Sequence, residues 1–142
     1  KVRRNIAEAF KVISPHQSLE DIVVPIAEIP RMVAGLAELS KKYDVHIPCY
    51  GHAGDGNLHA TPVMNPEWTL EQWHEKLPEI LKDLYDLTSQ LGGLISGEHG
   101  IGHKRKKYMP LCVSEDYLRL LRSVKKAMDP ANVLNPGKIF DL

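Results

Sequence analysis

The chain has 142 residues, 43% of them hydrophobic and 25% charged, which is enough to bury one core, so residues 1–142 read as a single domain. Lys plus Arg and Asp plus Glu number 18 each, leaving no overall basic field for a polyanion; nucleic acid is not an expected partner, and the run Lys104–Lys107 reads as a solvated loop or helix end. Nothing approaches the ~18 consecutive apolar residues of a membrane span and no signal peptide opens the chain, so the expected compartment is the cytoplasm, with membrane association only through partner subunits.

Val2, Ile6, Ala9, Phe10 and Ile13 recur at helical spacing until Ser14-Pro15 breaks the pattern, which predicts a short N-terminal helix. Because this pattern begins at Lys1 rather than at a Met, the chain is expected to be a fragment of something longer. The β-branched run Ile22–Val24, bounded by Asp21 and Pro25, predicts a strand. A helix follows from about Pro30, with Val33, Leu36, Ala37 and Leu39 on its apolar face and Lys41 and Lys42 at its C-terminal end. Residues 45–50 and 58–63 are strand candidates joined by Gly51–Gly56, whose Asp55-Gly56 pair favours a hairpin turn.

Thr69 with Gln72 three residues on fits a capping box opening a long helix, buried along Leu70, Trp73, Leu77, Leu81, Leu84, Leu87 and Leu91. Pro78 should kink or divide that helix, and Gly92-Gly93 should end it. Leu94–Ser96 is expected to be a short buried strand. Ser114 caps a last helix with the apolar stripe Leu118, Leu121, Val124 and Met128, stopped at Asp129-Pro130; residues 132–138 lack periodicity and should lie across a surface. The expected architecture is α+β, a mixed, partly antiparallel sheet with helices packed on one face. Cys49 and Cys112 fit neither a zinc pair nor a disulfide framework and are expected to be reduced.

Of seven histidines, His52, His59, His99 and His103 fall in two Gly-rich segments, Gly51–His59 and Gly97–His103. If His52 faces Asn57 across the hairpin, strand alternation puts His59 on the same face, diagonally across the pair and close enough for two imidazoles to reach one ion. Glu98 would add a carboxylate oxygen, completing a two-His, one-Glu set with open positions, suited first to zinc and also to manganese or iron. The glycines around Glu98 and His99 would let both side chains face one cavity, leaving His99 to move a proton. His103 reads as a loop residue, and Asp55 as a turn builder. The bland alternative is that these histidines satisfy backbone groups in tight loops. The Gly spacing does not match a dinucleotide fingerprint, and no nucleophile motif supports covalent hydrolysis. Metal-assisted hydrolysis at the same His/His/Glu site, or a non-catalytic metal-binding interaction module, stays open on these residues alone.

The segments Gly51-His52-Ala53-Gly54-Asp55-Gly56-Asn57-Leu58-His59, Ser96-Gly97-Glu98-His99-Gly100-Ile101-Gly102 and Asp129-Pro130 through Leu134-Asn135-Pro136-Gly137-Lys138, in that order, closely resemble the C-terminal domain of FAD-linked oxidases of the glycolate oxidase and D-lactate dehydrogenase type. Asp21–Pro25 resembles the family as well, so the likeness covers nearly the whole chain. It implies a flavin-dependent 2-hydroxy acid dehydrogenase whose FAD is bound mainly by an N-terminal domain that this chain lacks; alone, the chain should not oxidise substrate.

By the same resemblance His52, His59 and Glu98 are metal ligands and His99 is the acid-base residue. Arg3 falls where relatives bind the substrate carboxylate, Thr61 shares the His59 face and lines the same cavity, and Asn135 and Lys138 belong to a final segment that lies against the flavin-binding domain. Ala7 and Leu19 replace a hydroxyl residue and a lysine of 2-hydroxyglutarate enzymes, which points to a small monoacid, glycolate or lactate. Expected partners are that substrate, the FAD-binding domain of the same full-length chain, and electron-transfer subunits.

Overall fold

The computed structural model describes residues 6–142. Helix α1 (Ile6–Ala9) tightens into a 3-10 turn at Phe10–Val12. Strand β1 (Glu20–Val23) and a 3-10 turn at Ile26–Glu28 lead into α2 (Ile29–Tyr43), followed by β2 (Cys49–His52), β3 (Asn57–Ala60) and α3 (Leu70–Gln90). A 3-10 turn at Lys106–Tyr108 runs into α4 (Met109–Cys112), and α5 (Glu115–Met128) precedes the tail.

The fold is α+β. The sheet has the order β1-β3-β2 and both of its pairings are antiparallel, so the parallel component of a mixed sheet is not found among the described residues. The reason is topological: α2 carries the chain over so that β1 and β2 point the same way, but the β2–β3 hairpin inserts β3 between them. Leu94–Ser96 is likewise not a strand. Leu94 makes a single antiparallel bridge with Val23, is 49% exposed, and the amides that follow turn away from the strand edge toward a side chain.

Alternation along the strands sorts residues onto two faces. Glu20, Ile22, Leu58 and Ala60 face the helices, where Ile22, Leu58 and Ala60 pack with Met32 and Leu36 of α2 and with Ile80, Leu81, Leu84 and Tyr85 of α3. The capping box forms as expected: Thr69 Oγ1 accepts from Gln72 N–H, and Gln72 Oε1 accepts from Thr69 N–H. α3 runs undivided through Pro78, because Trp73 before it and Ile80 and Leu81 after it are all held in the same core. At its end Gly92 N–H bonds to Ser89 O and Gly93 N–H to Thr88 O, the paired bonds of a Schellman stop.

Two surface expectations are corrected. The basic run is only partly solvated: Lys104 and Lys107 are exposed at the entry to a 3-10 turn, but Arg105 is buried, and it closes with Lys104 on Glu20, a fully buried acid on the helix side of β1. Lys104 Nζ lies 2.6 Å from Glu20 Oε1 and Arg105 Nε 3.4 Å from Oε2, while Ser18 and Tyr85 donate hydroxyl bonds to the same carboxylate. A buried acid needs such partners, and two adjacent cations supply them. The α5 stripe is only partly covered. Leu118 is buried, but Val124 and Met128 are 48% and 79% exposed, and Val133 and Leu134 of the tail are exposed as well. Asp129 anchors that tail by accepting from the N–H groups of Val133 and Leu134.

Cys49 and Cys112 are free thiols. Burial pushes each up to about 11 from an ordinary value of 9.0. Stability gained by keeping them neutral is intact below pH 9 and fades as pH rises toward 11, so replacing both by alanine should flatten the decline in denaturation midpoint between those pH values. Leu84→Ala, at a fully buried position, should cost about 2–5 kcal/mol in denaturant unfolding.

Candidate metal centre

The sheet face turned away from α2 and α3 carries Asp21, Asn57, His59, Tyr50 and His52. Central strand β3 places His59 between Asp21 on one side and Tyr50 on the other, and Asn57 between Val23 and His52. The His59 ring centroid is 5.2 Å from that of Tyr50 and 6.3 Å, edge to face, from that of His52. The expected diagonal approach of the two histidines is therefore present. The hairpin between them is held by Gly56 N–H bonding to His52 O and by Asp55 Oδ1 accepting from Asn57 N–H, the turn-building task read for Asp55. Gly56 has φ +80°, and a Cβ there would lie 2.0 Å from Val24 O.

Over this face folds the turn Ser96–Gly100. Asp21, fully buried, receives it: Oδ2 accepts from Ser96 Oγ at 2.8 Å and from the N–H groups of Gly97, Glu98 and His99 at 3.0, 2.9 and 2.7 Å. Oδ1 accepts from Asn57 Nδ2 at 2.7 Å. Burial by itself would raise the Asp21 pKa, but the hydrogen bonds, that from His99 N–H foremost, outweigh it and hold the carboxyl well below the usual range. Gly97 is required by close approach: a Cβ would fall 1.8 Å from Asn57 Nδ2. Gly100 and Gly102 do take positive φ, as the sequence led one to expect.

The turn delivers Glu98 and His99 to His59. Glu98 Oε1 lies 3.1 Å from His59 Nε2, and the His99 ring stacks on that of His59 at 5.1 Å with an 18° tilt. Asp21, His59, Glu98 and His99 each offer a ligand atom within 4.8 Å of the others. These residues fit a divalent cation. Two donors each about 2.0–2.2 Å from a tetrahedral zinc stand roughly 3.3 Å apart, close to the His59–Glu98 separation. His59 Nδ1 is buried without a hydrogen-bond partner, 3.9 Å from Asp21 Oδ1, as befits an imidazole whose chemistry lies at its other nitrogen. Asp21 Oδ2 is already saturated by four donors, so His59, Glu98 and His99 are the members of this group with a ligand atom left to offer an ion. His52 borders the cluster, and His99 stands at its exposed side.

Of the other residues singled out from sequence, Thr61 is fully buried just beyond β3 on the His59 side. His103 is exposed in the loop after the turn, and Asn135 and Lys138 lie exposed on the tail, outside the cluster, with Lys138 N–H bonding to Asn135 O. Arg3 lies outside the described residues. Sequence reading missed Asp21, taking it for the boundary of a strand. The signal was the pair Glu20-Asp21 at the head of an apolar run, since acids on a buried strand must each find partners.

The family model for FAD linked oxidases, C-terminal domain, matches residues 1–139. Glycolate oxidase subunit GlcD of Bacillus subtilis (strain 168) is 35% identical over 99% of this chain and 29% of its own length. D-lactate dehydrogenase of Archaeoglobus fulgidus is 40% identical over 84% of the chain and 26% of its own length. D-2-hydroxyglutarate dehydrogenase of Stutzerimonas stutzeri (strain A1501) is 30% identical over 99% and 30% respectively. The chain thus spans less than a third of the length of these relatives.

Gly56→Ala, which forces an L-residue into positive φ against a carbonyl oxygen, should destabilise the protein by more than about 2 kcal/mol. Gly54→Ala in the same loop, where a Cβ meets nothing within 4 Å, should stay within about 0.5 kcal/mol in the same denaturation measurement.

Proposed function

This chain belongs to the FAD-linked oxidase C-terminal domain family, and we propose that it forms the metal- and substrate-binding part of a flavin-dependent 2-hydroxy acid dehydrogenase. The observation that carries this reading is the convergence of His59 Nε2, Glu98 Oε1 and the His99 ring where the Ser96–Gly100 turn meets the sheet. When bound, a divalent cation, zinc first with manganese or iron as alternatives, would acidify the substrate 2-hydroxyl, and FAD held mainly by the rest of the full-length protein would take the hydride.

In this chain His59 and Glu98 hold the ion, with His52 beside them completing the set. His99, stacked against His59 and open to the substrate side, takes the hydroxyl proton. Thr61, fully buried just beyond β3, would line the substrate cavity of the full-length protein. Arg3 pairs with the substrate carboxylate, a task suited to a guanidinium fork. The exposed tail with Asn135 and Lys138, together with the uncovered apolar face of α5, meets the flavin-binding part of the same protein.

Glycolate and D-lactate are the favoured substrates. Relatives bear those names, and Ala7 and Leu19 offer neither the hydroxyl nor the ammonium that a second carboxylate would use. Among the described residues no helix is long and apolar enough to cross a membrane; electron-transfer subunits are the proposed route of any membrane association.

In the full-length flavoprotein His99→Ala should lower turnover of glycolate or D-lactate by ~10² or more with metal retained. Glu98→Ala should deplete the metal, read by elemental analysis. Unchanged turnover in the first variant removes the proton role, a full metal complement in the second removes the ligand role, and ester hydrolysis without flavin would favour a hydrolase instead.

A further inference from the structure

We propose that Asp21 is the positioning residue of this site: without binding the cation itself, it sets the cation affinity by fixing the Glu98–His99 turn from beneath and by standing behind His59. The inference rests on the reading of His59 and Glu98 as ligands.

Three segments distant in sequence meet at this one carboxylate. Oδ2 gathers Ser96 Oγ and the consecutive N–H groups of Gly97, Glu98 and His99, a concave nest of donors closed around a single anion. The backbone of both residues that reach His59 is thereby fixed at the residue itself. Oδ1 takes Asn57 Nδ2, from the strand that carries His59 two residues further on. The turn and the strand are thus registered against each other through one group. Gly97 and the Asn57 side chain approach so closely that a Cβ at 97 would fall 1.8 Å from Asn57 Nδ2.

What is left of Oδ1 faces the buried, unpartnered Nδ1 of His59 at 3.9 Å. An imidazole that ligates through Nε2 carries its proton on Nδ1, and a carboxylate behind that proton orients the ring and raises its basicity as a ligand. Five donors already on Asp21 leave it no role in the coordination sphere itself. Its neighbour Glu20, pointing to the other face, marks the contrast: its partners Ser18, Tyr85, Lys104 and Arg105 include no residue of the site.

The test uses the full-length flavoprotein stripped of metal and titrated with Zn²⁺. Asp21→Asn keeps the shape but turns an amide N–H toward the donors of the turn. It should weaken Zn²⁺ binding 10–100-fold, the usual cost of losing such an outer partner, while flavin content is retained and turnover recovers in part at saturating Zn²⁺. Glu20→Gln should lower the thermal midpoint and leave Zn²⁺ affinity unchanged.

Wild-type Zn²⁺ affinity in Asp21→Asn, with Glu98→Ala unable to bind, would overturn the positioning role alone. Wild-type affinity in Glu98→Ala would instead bring down the ligand reading on which it rests. Equal weakening in Glu20→Gln and Asp21→Asn would reduce Asp21 to general stability and overturn the proposal. Should Asp21→Asn fail to fold, Ser96→Ala carries the test: a few-fold weaker Zn²⁺ binding supports the role, and wild-type affinity overturns it.

Discussion

A carboxylate taken fully out of water must be given back every hydrogen bond it lost, and the layout of this molecule follows from meeting that condition at Asp21. Its donors come from β3 and from the turn after α3, so the buried charge is satisfied only when β1, β3 and that turn are all in place. The same condition explains why the turn is not a strand. Three consecutive amides pointing at one oxygen are incompatible with the alternating amides of a ladder.

Glu20 imposes the matching condition on the other face. Two adjacent acids on a strand necessarily point to opposite sides, and each recruits a different part of the segment 96–105: Asp21 its beginning, Glu20 its end through Lys104 and Arg105. The segment that presents Glu98 and His99 is therefore pinned at both ends to one short strand. The Lys104 and Arg105 side chains also donate to Leu19 O, so the loop bonds the backbone just before the strand as well as its side chain. Buried ion pairs of this kind add little net stability against apolar replacements, yet removing one member leaves an uncompensated charge. At Glu20 their effect falls on the far end of the loop, at Lys104 and Arg105, beyond the turn that carries Glu98 and His99.

The apolar surface divides unequally between the two halves of the chain. α2 and α3 cover one sheet face thoroughly, whereas α5 buries Leu118 and leaves Val124 and Met128 in contact with solvent, as are Val133 and Leu134 of the tail. The amphipathic α5 thus keeps part of its apolar stripe on the surface of the described residues.

Local signals were sufficient wherever a few neighbouring residues decide the outcome. Thr69 and Gln72 make the α3 cap, Gly92-Gly93 its stop, Asp55-Gly56 the hairpin, and strand alternation alone predicts that His52 and His59 share a face. The Gly-His and Glu-His segments also stood out in the sequence, and the structure brings His59, Glu98 and His99 of them together while His103 stays in an exposed loop. What tertiary structure decided is everything that depends on partners far along the chain. It set the antiparallel pairing of β1 with β3, the burial of Arg105, the undivided course of α3 through Pro78, and the partial exposure of α5. The placement of Asp21 belongs to the same class, with hydrogen-bond donors 36 and up to 78 residues away. Periodicity reports which face of an element is apolar, but not which distant group will approach a given carboxylate, because that depends on how the elements pack.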